Sequence, residues 1–79
     1  MNKKIKWGIV GTGTIAHQFA GDFPYTKNAE LIGVASRNLK SAEEFGSNYD
    51  IPKCLASYQE LFDDDEIEIV YIATHFGIS

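Results

Sequence analysis

The sequence has a single cysteine, Cys54, which excludes an internal disulfide framework and a cysteine-rich metal site. Basic residues are scarce, seven against eleven acidic ones, for a net charge of −4. That balance argues against broad contact with nucleic acid or an anionic membrane surface. Long apolar runs are missing too. The run nearest the N-terminus, residues 5–10, carries Lys6 inside it and stops at Gly11. It is too short for a signal-peptide core, so a cytoplasmic chain with no membrane partner is the expectation. Repeats, low-complexity stretches and linkers are absent. What is there is 79 residues, 44% hydrophobic and 23% charged, the make-up of one small globular domain. A chain of this size buries about 60–65% of the surface it exposes when unfolded.

Its apolar residues switch between short runs and helical spacing, the mark of alternating strands and helices. Residues 5–10 read as a strand. Ile15, Ala16, Phe19 and Ala20 share one face of a helix from Thr14 to about Asp22, which Phe23-Pro24 closes. Residues 30–36 form an apolar run without polar alternation, as in a strand covered on both faces. Ser41 is the expected cap of a second helix, with Glu43 and Glu44 in its first turn, Ala42 and Phe45 facing inward, and fraying over residues 46–50. Residues 52–56 suit a short edge strand. Ser57 then starts a helix of one to two turns in which Leu61 and Phe62 pack down. Asp63-Asp64-Asp65-Glu66 reads as a solvated acidic turn, because a metal loop would space its acids alternately. Residues 67–74 form the last strand.

The resulting order, β-α-β-α-β-α-β, predicts an α/β fold with parallel strands and right-handed crossovers. More specifically, it predicts a partial Rossmann domain over residues 1–79: a doubly wound parallel sheet of three to four strands in the order 3-2-1-4, truncated before its second half. Gly8 and Gly33 inside strands point to close approach of a neighbouring element. Trp7, Phe19, Phe45, Phe62 and Tyr71 are expected in core and helix–sheet packing. Cys54 reads as a small buried apolar residue and His17 as a helix-surface residue.

One motif carries chemistry. Gly11-Thr12-Gly13-Thr14-Ile15-Ala16 reads G-x-G-x-x-A between the first strand and the first helix. Gly11 permits the tight turn, Gly13 lets a pyrophosphate approach the backbone, and Ala16 lets the helix pack close to the sheet. The free N–H groups and positive dipole end of the helix then bind phosphate without a lysine. A P-loop is excluded because no Gly-Lys-Ser/Thr follows. A dinucleotide is therefore the expected partner. NAD-selective folds place Asp or Glu at the end of the second strand, on the ribose 2′-hydroxyl. Here that strand ends Ala35-Ser36-Arg37-Asn38, and Glu30 sits at its wrong end. Ser36 can hydrogen-bond a 2′-phosphate and Arg37 can grip it or stack on adenine, with Asn38 and Lys40 alongside. The reading is NADP in preference to NAD.

These residues taken together resemble the N-terminal part of the glucose–fructose oxidoreductase, inositol dehydrogenase and rhizopine-catabolism (Gfo/Idh/MocA) family. The resemblance runs from Lys6-Trp7-Gly8-Ile9-Val10-Gly11-Thr12-Gly13 through Gly33-Val34-Ala35-Ser36-Arg37 to Tyr58-Gln59-Glu60-Leu61 and Val70-Tyr71-Ile72-Ala73-Thr74. It implies a Rossmann domain paired in the parent with an α/β substrate domain, and hydride transfer to or from a sugar, polyol or diol. The Ala-Ser-Arg ending resembles the NADP-using branch, which includes dihydrodiol and sugar dehydrogenases. It further implies that Thr12, Thr14 and Ile15 line the pyrophosphate turn and that Ala73 and Thr74 lie beside the cofactor.

The chain departs from the family pattern after Thr74, where His75 stands in place of the usual proline. The family's Glu-Lys-Pro segment falls beyond Ser79, so no catalytic residue is expected within these 79 residues, and no metal site. The isolated chain is expected to bind cofactor without turnover. The alternative is a nucleotide-sensing or structural Rossmann module without catalysis. An apolar last strand at the sheet edge also predicts self-association with a second copy.

Overall fold

The computed structural model of the chain describes residues 4–73. Within them the elements alternate as expected. They are β1 (Ile5–Val10), α1 (Thr14–Gly21), a 3₁₀ turn (Phe23–Tyr25), β2 (Ala29–Ala35), α2 (Leu39–Tyr49), β3 (Lys53–Leu55), α3 (Tyr58–Phe62) and β4 (Ile69–Ile72). The strands form one all-parallel sheet in the order β3-β2-β1-β4, as the partial Rossmann reading requires. None of the described helices is long and apolar enough to cross a membrane.

Period-two alternation in β1 and β2 sends side chains to two separate cores. On one face Ile9 and Val34 meet Ala16 and Ala20 of α1 and Ala42 and Phe45 of α2. The alanines keep both helices close to the sheet. On the other face Val10 and Ala35 meet Leu61 of α3, with Leu55, Tyr58, Ile67 and Val70 packed around them. A register irregularity after Trp7 brings Gly8 opposite Gly33. An added Cβ at Gly33 would lie 2.8 Å from Ile67 Cδ1 and 2.9 Å from Leu61 Cδ1, and one at Gly8 would lie 3.0 Å from that same Leu61 atom. The two strand glycines thus form a floor on which α3 and the following turn rest, the close approach their positions implied.

Several local expectations are corrected. Ser41 does not cap α2. The helix already begins at Leu39, and the extended Asn38 caps it, its Oδ1 accepting from the N–H of Lys40 at 2.8 Å and of Ser41 at 3.4 Å. Asparagine is as good a cap as serine, and starting three residues earlier adds a turn to the helix. Glu43 and Glu44 consequently sit beyond the first turn. Nor does α2 fray at Gly46. That glycine is buried against Cys54 and Ile51, and the helix runs on until Asp50 closes it in the left-handed conformation (φ 57°).

Phe62 is 50% exposed whereas Leu61 is fully buried, because a helix of five residues turns only one of two adjacent side chains toward the sheet. Ile15 is likewise exposed, at the start of α1, while Ala16 is buried. The other four aromatics expected inside do pack. Phe19 stacks on Tyr71 at 4.0 Å and 11°, Trp7 lies 5.7 Å from Phe19, and Phe45 is buried. Cys54 is half-buried, and burial raises its thiol pKa.

The acidic turn is pinned rather than merely solvated. Lys53, entering β3, donates to Asp64 Oδ2 at 2.7 Å and to Glu66 Oε1, while Asp64 Oδ1 accepts from the Glu66 N–H at 2.8 Å. Lys6 of β1 lies 3.9 Å from Glu66. This network ties the α3–β4 crossover to the amino-terminal ends of β1 and β3. The hydrogen bonds from Lys53 hold the Asp64 and Glu66 carboxyls below the usual carboxylate range, and the same bonds raise Lys53.

By linkage, the carboxylates contribute stability that is present at neutral pH and lost as the pH falls through and below the ordinary carboxylate range. The lysine's share is lost only as the pH rises past the ordinary lysine range. Urea titrations of the chain and of Lys53→Met should therefore differ most at neutral pH and converge as the pH drops below about 4.

Candidate nucleotide site

The site begins where β1 ends. Gly11 has φ 104°, a conformation that a residue with a Cβ adopts only under strain. This turns the chain out of the sheet plane. Gly13 follows as the N-cap of α1, with φ −85°, ψ −166° and no side-chain cap. The first intrahelical bond runs from the His17 N–H to the Gly13 carbonyl at 3.0 Å. The N–H groups of Thr14, Ile15 and Ala16 therefore precede the helical ladder and point outward from its positive end. A Cβ built on Gly13 meets no atom within 4 Å. Open space, unpaired donors and a helix N-terminus without a competing carboxylate together fit a phosphate group. Gly13, Thr14 and Ile15 are exposed, Thr12 is half-buried, and Gly11 and Ala16 are buried.

Backbone hydrogen bonds lace the neighbouring strand ends to this turn. The Gly11 N–H donates to the Ala35 carbonyl at 2.9 Å, and the Ala73 N–H donates to the Val10 carbonyl at 2.9 Å. Ala35 and Ala73 thus flank the exit of β1, which is the point in the order β3-β2-β1-β4 where successive connections reverse direction. Crevices outside the carboxyl ends of strands at such a reversal are the ligand sites of open α/β sheets. Thr74 and His75 lie outside the described residues.

At the end of β2, the half-buried Ser36 donates its N–H to the Leu55 carbonyl at 3.0 Å, and its Oγ accepts from the Asn38 N–H at 3.4 Å. Arg37 and Lys40 are exposed and enter no ion pair among the described residues. Asn38 spends its side-chain oxygen on capping α2, so it holds the loop that presents Arg37. Glu30 lies at the other end of β2, beside Asn48 and Asp50 in a cleft of about 360 Å³ between the C-terminal ends of α1 and α2. Five residues of strand put it about 16 Å from Ala35 at roughly 3.3 Å per residue.

The sequence places His17 on the helix surface, but the structure joins it to α2. Its Nδ1 lies 2.8 Å from Tyr49 Oη, which donates to the His17 carbonyl at 3.3 Å. Its ring packs 4.7 Å from that of Phe45. The helical spacing of Ala42, Phe45 and Tyr49 put Tyr49 on the inward face of α2. Only the crossing of the two helices revealed its partner.

Comparison with known proteins agrees with this fold. The family model described as an oxidoreductase family with an NAD-binding Rossmann fold, Gfo/Idh/MocA, matches residues 5–77. Trans-1,2-dihydrobenzene-1,2-diol dehydrogenase of Mus musculus is 42% identical over 72 residues, and that of Homo sapiens 39%. Each alignment covers 89% of this chain and 22% of the relative, so the chain spans about a fifth of the length of these curated relatives. Among solved structures, the 3-ketoreductase KijD10 from Actinomadura kijaniata in complex with NADP superposes with a TM-score of 0.85 at 22% identity, over 91% of this chain and 23% of that one. The WlbA dehydrogenase from Bordetella pertussis, in complex with NADH and UDP-GlcNAcA, gives 0.80 at 20% identity over 91% and 22%.

The two turn glycines should behave differently on substitution. Gly11→Ala forces a Cβ into a positive φ and should cost about 1 kcal/mol or more in a urea titration. Gly13→Ala, with an ordinary φ and open space, should cost no more than about 1 kcal/mol. It should still weaken binding of a nicotinamide dinucleotide, followed through the amide resonances of residues 11–16.

Proposed function

The chain belongs to the Gfo/Idh/MocA oxidoreductase family, and from that premise we propose that it holds the adenosine and pyrophosphate of NADP for an oxidoreductase acting on a sugar, polyol or diol. The diol is supported by the named activity of the relatives at about 40% identity. When bound, the nicotinamide supplies or accepts the hydride. The part of this chain is binding and orientation. Gly11 and Gly13 shape the turn, and the N–H groups of Thr14, Ile15 and Ala16 take the pyrophosphate, with Thr12 at its rim. Ala73 borders the crevice beside β1.

The observation that carries the preference for NADP is the end of β2. A 2′-phosphate there meets Ser36 and the guanidinium of Arg37, which has no ion-pair partner among the described residues, with Lys40 adding positive charge, while the one acid of the strand, Glu30, is at its opposite end. Guanidinium and phosphate pair in a fork that a ribose hydroxyl cannot reproduce.

A side-by-side titration of NADPH and NADH into the chain, read by heteronuclear NMR, tests this. NADPH should shift the amides of residues 11–16, Ser36 and Arg37 at lower concentration than NADH does. Arg37→Ala should weaken NADPH about 10- to 100-fold, the range of a charge-assisted hydrogen bond, and change NADH little. Equal or tighter binding of NADH would overturn the preference, and shifts by neither would overturn the site.

The outer edge of β4 supports a second expectation. It is an edge strand of the sheet, with Ile69 and Ile72 exposed, so its backbone can pair with another strand. We propose that in solution this edge brings two copies together. Sedimentation velocity should show a dimer fraction that grows with concentration and shrinks in Ile72→Lys. A strict monomer at high concentration would count against the pairing.

A further inference from the structure

We propose that Tyr49 is a positioning residue for the phosphate-binding turn, acting through His17 from the far end of α2. The proposal rests on the nucleotide-binding reading of that turn and adds to it the group that holds the turn in place.

Little in α1 itself fixes its first turn. The helix has eight residues, with no side-chain N-cap bond, no acid in its first turn and no base in its last. A helix this short is not stable alone, so tertiary contacts decide where its N-terminus points. Toward its C-terminal end, Phe19 is stacked on Tyr71 of β4. Toward the site, the residue that closes the first turn is His17, through its N–H to the Gly13 carbonyl. Two more polar groups of His17 meet one atom, Tyr49 Oη: ring Nδ1 at 2.8 Å and the carbonyl at 3.3 Å. With the hydroxyl donating to the carbonyl, the Nδ1–H tautomer of His17 satisfies the pair.

Tyr49 is itself held by a better-anchored element. Helix α2 buries Ala42, Phe45 and Gly46, is capped by Asn38 at one end and is closed by Asp50 at the other. Phe45 touches both rings, 4.7 Å from His17 and 5.0 Å from Tyr49. The hydroxyl therefore sets α1 against the same helix whose N-terminal end presents Arg37. It fixes the spacing between the pyrophosphate turn and the 2′-phosphate pocket, the two ends of one ligand.

Tyr49→Phe removes the hydroxyl and keeps the ring packing, so the test reads local loosening and binding together. Amide exchange at His17 should speed up at least about tenfold, the loss of one hydrogen bond of about 1.4 kcal/mol. The amides of Ile9 and Val34 in the core strands should be unchanged. NADPH affinity should fall five- to tenfold, while adenosine 2′-monophosphate, which carries the 2′-phosphate and no phosphate at the 5′ position, should bind the variant as it binds the original chain. Exchange that accelerates equally throughout the chain would reduce Tyr49 to a general stability role and overturn the proposal. Unchanged NADPH affinity in the variant would overturn it as well. The titration of the unaltered chain separates the two readings: if that chain does not take NADPH, the site itself fails and the positioning role fails with it, whereas binding by both chains alike sinks the positioning role only.

Discussion

Two backbone hydrogen bonds at the exit of β1 hold the site together, from the Gly11 N–H to the Ala35 carbonyl and from the Ala73 N–H to the Val10 carbonyl. They make the central strand the common reference for β2 and β4, so that a turn, a loop and a strand end from three parts of the chain meet at one place. The left-handed Gly11 then directs the chain out of the sheet at that junction. A buried backbone donor left without a partner costs about 1–3 kcal/mol. Displacing any of these strand ends would thus be opposed by more than packing alone.

The two ends of the sheet are built for different work. At the amino-terminal ends of the strands, Lys53, Asp64, Glu66 and Lys6 form an ion-pair network that anchors the α3–β4 crossover. At the carboxyl ends, among the described residues, charge is left unpaired on Arg37 and the donors at the start of α1 are left without carbonyl partners. Charges that satisfy one another stabilise a fold, while donors without acceptors and a cation without an anion are available to a ligand. A small parallel sheet can carry both because its strands all point one way, which gathers every loop after a strand on one side.

Much of the architecture was legible in the residues. The alternation of apolar runs with helical spacing placed all seven regular elements, and their order implied the sheet order 3-2-1-4 that the structure has. The strand glycines at 8 and 33 announced a close neighbour, and it is Leu61 with Ile67. Errors gathered at boundaries and in choices between adjacent residues. Asn38 and Ser41 are equally good caps, so propensity does not choose between them. Leu61 and Phe62 are both apolar, and only the seating of α3 over the glycine floor decided that leucine goes in and phenylalanine stays out.

The glycine-rich turn after an apolar strand and before a helix was determined by the sequence alone, because each of its positions has a steric requirement that few residues meet. The lack of a carboxylate after β2 is equally a property of the sequence, since it depends only on which residue follows a strand end. Tertiary structure decided what holds those features in register. His17 meets Tyr49 across 32 positions of chain, and Lys53 reaches Asp64 across a helix and a turn. Neither pairing has a local signature, because a side chain's partner on another element depends on how two helices cross or a crossover loop folds back. That is settled only when the apolar faces of α1, α2 and α3 have been buried on the sheet.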